Sequence, residues 1–166
     1  MASIKQAFGT ATAFTITNAN LTSSATAGWM SNAIDNSTNL YLDAHVHFAL
    51  AAVNTAPANS KGIFVYAYGL VDSSGAVYTS TGDGTPSGSE GTLTFPDVST
   101  LPVVMPLIGF ISYPVQNKAI NAGPFSVAAG FGGILPVKWG VAMVNYSGMT
   151  LSVTSIKYIE EYRTVA

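Results

Sequence analysis

A chain of 166 residues has the size of one domain whose core needs no covalent staples, and its 48% hydrophobic content excludes a disordered segment. Six basic residues, scattered at Lys5, Lys61, Lys118, Lys138, Lys157 and Arg163 against eight acids, exclude a stripe for nucleic acid, and the absence of cysteine excludes disulfides and thiolate metal sites. Only 8% of residues are charged where about 25% is usual, the deficit expected of a chain that hides surface against neighbours or replaces charge with Ser, Thr, Asn and Gly.

In chain order, residues 1–11 read as an extended N-terminal arm placed to touch a neighbour, and 12–166 as a single β-sandwich domain. The start of the chain has no continuous apolar run of the signal-peptide kind, so synthesis in the cytoplasm is the expectation. A first strand is predicted at Ala13–Thr17 and another within Leu21–Ile34, followed by a turn at Asp35-Asn36-Ser37. The strongest signal is Thr38–Leu50. Leu40, Leu42, Ala44, Val46, Phe48 and Leu50 fall on one side, and Tyr41, Asp43, His45, His47 and Ala49 on the other, the period of two of a strand with one face in a core.

After a loop at Asn54–Gly62, the strand Gly62–Val71 is apolar on both faces, with Ile63, Val65 and Ala67 opposite Phe64, Tyr66 and Tyr68, as expected of a strand covered on both sides. Asp72-Ser73-Ser74-Gly75 predicts a hairpin into Ala76–Thr79, and Ser80–Gly91 an outward surface loop. Thr92–Phe95 is a short strand, Pro96–Pro106 an irregular crossing, and Leu107–Tyr113 a strand that its flanking prolines confine to an edge or a bend. Lys118–Gly123 is read as a turn, Phe125–Ala129 as a strand, Gly130-Phe-Gly-Gly as a bulge or tight turn, and Val137–Tyr146 as a strand. Ser147-Gly148 is a hairpin signal before Thr150–Tyr162, where the apolar phase changes between Val153 and Ile156 as an extra bulge residue would make it. Prolines, glycines and Lys138 interrupt the apolar stretches Leu101–Val115 and Phe125–Val144, so no membrane span is expected. Short strands separated by turns imply an all-β fold, a two-sheet β-sandwich of jelly-roll type, with an immunoglobulin-like sandwich as the alternative.

Asp43, His45 and His47 put a carboxylate and two imidazoles on one strand face and are the candidate metal ligands. The His-x-His pair resembles that of the cupins, but apolar residues follow it where a cupin carries Glu, and the chain has no third His. The expectation is therefore no metal, no cofactor and no catalysis. A serine triad lacks its Gly-x-Ser-x-Gly elbow, and Asp35, Asp43, Asp72, Asp83, Glu90 and Asp97 read mostly as turn residues. Trp29, Trp139, Tyr66, Tyr68, Tyr78 and Tyr113 would serve sugar binding if they shared an exposed face, and subunit contact or core otherwise.

The chain as a whole resembles the small decoration or cement proteins of tailed bacteriophages. The likeness lies in size, cysteine-free low-charge composition, and the phrases Met1-Ala-Ser-Ile-Lys-Gln-Ala-Phe-Gly-Thr, Ile63-Phe-Val-Tyr-Ala-Tyr-Gly and Leu135-Pro-Val-Lys-Trp-Gly. The resemblance implies a β-rich homo-oligomer, a trimer first of all, on the capsid surface of a virion, with itself and the major capsid protein as partners and no enzymatic activity. Interface candidates are Phe8, Tyr41, His45, His47, Phe64, Tyr66, Tyr68 and Trp139. A carbohydrate-binding or host-attachment module of a phage particle is the alternative reading, and a cupin-like metal-binding protein the next.

Overall fold

The computed structural model describes residues 3–17, 20–52, 56, 62–70, 86–112 and 117–165. The expected hairpin at 72–75, the strand at 76–79, the loop at 80–91 as far as residue 85, and nearly all of the 54–62 loop lie outside the described residues.

Among the described residues, twelve strands form two sheets in which every pairing is antiparallel. Sheet 1 is organised on β12 (Leu151–Val165). Along one side of it run β1 (Ile4–Phe8), β2 (Thr12–Ala13) and β3 (Asn20–Leu21), one after another, as a single interrupted column. On its other side lies β6 (Asp43–Ala52), followed by β10 (Ala119–Ser126). Sheet 2 has the order β8 (Gly91–Thr94), β4 (Ala27–Met30), β11 (Lys138–Asn145), β7 (Gly62–Leu70), β9 (Leu107–Ser112), with β5 (Ile34–Asp35) continuing β4 along β11. Taking β1–β3 and β4–β5 as one column each and setting β8 aside, the columns run 1-8-3-6 in one sheet and 2-7-4-5 in the other. That is the jelly-roll order, so the immunoglobulin-like alternative falls away.

The core between the sheets follows the period of two. Ala44, Val46, Phe48 and Leu50 of β6 meet Ile63, Val65 and Ala67 of β7, Val141 and Met143 of β11, and Leu151, Val153 and Ile156 of β12. Trp139 is fully buried at the centre, with Phe14 and Tyr158 edge-on to its ring. The phase change in β12 is a register shift between Val153 and Ser155 against β6, as the sequence predicts. β9 lies at a sheet edge, where its prolines place it.

Several boundaries differ. The segment read as an arm forms β1 against the chain's own β12, and the first expected strand is reduced to Thr12–Ala13. The long strand begins at Asp43 because Asn36 captures the chain before it. Its Oδ1 accepts the Tyr41 N–H at 2.8 Å, its Nδ2 donates to the Tyr41 carbonyl at 3.1 Å, and Leu40 takes a left-handed φ of 52°. Leu40 and Leu42 consequently face solvent, 70% and 41% exposed. The supposed turn at 118–123 is most of β10, and 125–129 divides between its end and a 3-10 turn, Ala128–Phe131, closed by left-handed Gly132. Pro96–Pro106 holds another 3-10 turn, Val98–Thr100, and a one-turn helix α1 (Leu101–Val104), because Asp97 accepts the Ser99 N–H at 2.9 Å. Ser147-Gly148 joins β11 to β12 across the two sheets, not within one, and buried Asn145 holds that crossing by donating to the carbonyls of Leu21 and Met149.

Sheet 2 is buried on its outer face as well. Met30, Tyr66, Tyr68, Ala142 and Val144 form a second core with Leu93, Phe95, Leu101 and Met105, so the crossing after β8 is a cover. The Tyr68 hydroxyl donates to the Ser31 carbonyl at 2.5 Å, and Ser31 Oγ accepts the Val141 N–H at 3.0 Å. Gly140 is required here: a Cβ would run into the Tyr68 ring.

Candidate functional site: the open face of sheet 1

Because β6 alternates, Asp43, His45, His47 and Ala49 point away from the core, and antiparallel pairing sets β12 residues Glu161, Ile159, Lys157 and Ser155 opposite them. β1 extends this face, with Phe8 opposite Glu161, Gln6 opposite Arg163 and Ile4 opposite Val165. Beyond β6, β10 brings Ser126 opposite His45.

This register draws three ionisable groups together. His45 Nε2 lies 2.9 Å from Glu161 Oε2 and 3.8 Å from Asp43 Oδ2, and one donor atom from each residue lies within 4.8 Å of the other two. All three are partly buried, and the Phe8 ring sits 5.8 Å from the imidazole, centroid to centroid. Asp43 is fixed from below. Its Oδ1 accepts N–H bonds from Ala44 at 2.7 Å and Ala128 at 2.8 Å, and its Oδ2 accepts the Ser126 hydroxyl at 2.6 Å. Ser126 Oγ in turn accepts the Ala129 N–H at 3.0 Å, so this hydroxyl is committed to holding the 3-10 turn. Two clefts flank the cluster and share Glu161 as a wall. One, of 330 Å³, is lined by Phe8, His45, His47, Pro124 and Ile159; the other, of 410 Å³, by Leu42, Asp43, Ser126 and Arg163.

Of the candidate ligands, Asp43 and His45 thus come together and His47 does not join them; it lines the cleft one step along β6. Glu161 takes the place expected of His47. The sequence shows it only as part of the charged run at the end of β12, and nothing local in the sequence reveals a partner 116 residues away. Among the interface candidates, Phe8 is 56% exposed, while Tyr41, His45, His47 and Phe64 are partly exposed. Tyr66, Tyr68 and Trp139 are instead buried within the single chain, the two tyrosines under the cover of sheet 2 and the tryptophan between the sheets, because their strands are covered on the faces they point to. The sugar-stacking set loses the same three residues and Trp29, while Tyr78 and Tyr113 lie outside the described residues.

Two other acids are structural. Burial alone would raise the Glu90 pKa, but bonds from the Thr17 hydroxyl and N–H and from the Trp29 indole outweigh it and hold the carboxyl below its ordinary range. Asp97 is lowered chiefly by the Ser99 hydroxyl and N–H that it accepts. Among the described residues, sheet 1 therefore presents an outward cluster with an imidazole between two carboxylates, donor types able to hold a metal cation. No protein-family model, no curated protein sequence and no solved structure matches this chain.

Proposed function

We propose that this protein is a non-enzymatic structural protein of a virus particle, a capsid-decorating protein that closes into a ring, a trimer first of all, and clamps the major capsid protein. Jelly rolls serve capsid proteins, lectins and cupins alike, so the fold does not select among them. The observation that carries the reading is a pair of unlike apolar strips on opposite edges of the sandwich. At the β1 edge, Ile4, Phe8 and Val165 are 69%, 56% and 70% exposed. Near the β9 edge, the exposed residues are Val103, Leu107 and Phe110. β9 lies beside β10, the side of sheet 1 away from β1. Two different surfaces on opposite sides are what a head-to-tail contact joins, and such contacts form a ring when the rotation between neighbours closes. Each edge strand also offers backbone groups for pairing. Repetition of the ring over a shell would multiply weak contacts by avidity.

The test is light scattering of the untagged protein and of Phe8→Lys and Phe110→Lys. The expected mass is about three times the 17.2 kDa of the chain, each variant alone falling to a monomer. An equimolar mixture of the two should recover dimers, since one intact strip of each kind remains. The wild-type ring should then co-sediment with capsid shells prepared without it. A monomeric wild type, or a ring that leaves such shells in the supernatant, overturns the proposal.

A further inference from the structure

We propose that Asp43, His45 and Glu161 form a three-ligand site for a zinc-class divalent metal on the open face of sheet 1, with a fourth coordination position left to water or to a group from a neighbour. The two separations from His45 come close to the requirement, and the third lies within 4.8 Å. Donors bound to one tetrahedral zinc at about 2.0–2.2 Å stand roughly 3.4 Å apart. Here His45 Nε2 is 2.9 Å from one carboxylate oxygen and 3.8 Å from the other, distances that bracket that value. Shifts of a few tenths of an ångström in partly exposed side chains would equalise them.

A second observation is electrostatic. Asp43 and Glu161 are direct cross-strand partners, and like charges placed opposite each other destabilise a sheet. Among the described residues neither forms an ion pair with a Lys or Arg; the imidazole of His45 is the group between them. A divalent cation there offsets both carboxylates at once. A third observation is support from the surroundings. The Ala44 and Ala128 N–H groups hold Asp43 Oδ1, which leaves Oδ2 turned toward His45, and Ser126 donates to that same oxygen, the outer-shell bond that orients ligating carboxylates. One nitrogen and two oxygens without sulfur favour zinc and its first-row neighbours, while the imidazole disfavours calcium and magnesium.

The experiment uses the untagged full chain, stripped with chelator, exchanged into chelator-free buffer and titrated with zinc chloride by calorimetry. Cobalt(II) absorption in the visible serves as a second readout of coordination. One equivalent per chain is expected. Glu161→Gln and His45→Gln should each weaken binding at least about a hundredfold and remove the cobalt band, and Ser126→Ala should weaken it about tenfold. His47→Gln should leave both unchanged. Glu161→Gln is near-isosteric and decides the matter if His45→Gln fails to fold. Absence of stoichiometric zinc binding overturns the site, leaving His45 as a hydrogen-bonded neighbour of the carboxylates only; so does binding that survives Glu161→Gln and is lost in His47→Gln.

Discussion

The two sheets share a plan, a long antiparallel strand at the centre of each, yet their outer faces are opposites. In sheet 2 the outer face over β4, β11 and most of β7 is covered by Phe95–Met105, and seven of the eight residues of β11, all but Lys138, are buried. In sheet 1 the outer face is open, and over its first eight residues β12 alternates between buried and accessible positions, broken only by the bulge at Thr154-Ser155. Aromatic and aliphatic side chains occupy the first face, carboxylates and imidazoles the second. Burial removes the freedom to place chemistry, so the covered face contributes to stability, while the open face keeps its ionisable groups accessible.

The largest effect expected from this contrast is at the cover itself. Leu101→Ala, at a fully buried position in α1, should cost about 2–5 kcal/mol in urea unfolding, with an unchanged m-value. A loss below about 1 kcal/mol would mean that the cover merely rests on sheet 2 and that the two faces are less different than described. Next, Tyr68→Phe strands the Ser31 carbonyl beneath the cover and should cost about 1–3 kcal/mol; a neutral result would show that water reaches that carbonyl.

A pH effect follows from the same burial. Desolvation pushes the Tyr66 hydroxyl up to about 12, above the ordinary value near 10 that it recovers on unfolding. The folded state keeps a proton that the unfolded chain gives up. Its contribution is therefore complete below pH 10 and is lost as pH rises toward 12. The urea midpoint should fall over that window and fall less steeply in Tyr66→Phe; an unchanged slope would sink the assignment to this residue. The smallest effect belongs to the open face, where His45→Gln in metal-free buffer should change stability by at most about 1 kcal/mol, as partly exposed ion pairs do. A loss comparable to that of Leu101→Ala would erase the distinction between the faces.

This contrast also explains what was legible in the sequence. Where one face meets water, alternation marks the strand, and β6 from Ala44 to Leu50 and the bulge of β12 were both readable. Where both faces are covered, the apolar run of β7 announces the cover without saying which segment provides it. Leu40 and Leu42 continue the apolar period yet stand outside the strand, because the Asn36 side chain competes for the backbone just ahead of them. The candidate site was half legible. Asp43 and His45 lie two apart on one strand, but Glu161 arrives through the register of a long-range pair, a property of the assembled sheet and not of any local window.

The position of the two central strands in the chain bears on how the molecule comes into being. β11 and β12 are the last two described strands, and every other column except β8, β9 and β10 pairs directly with one of them. Before Lys138 is synthesised, the sheet contacts open to the nascent chain are three ribbons, β4 with β8, β6 with β10 and β7 with β9. Two-stranded ribbons are marginal in water, and pairings between distant segments form slowly. Residues 138–165 supply β11 and β12, which join those ribbons and the β1–β3 column into two sheets. A chain halted by the ribosome short of Lys138 would not be a smaller version of this protein, but a set of ribbons with open edges awaiting a partner.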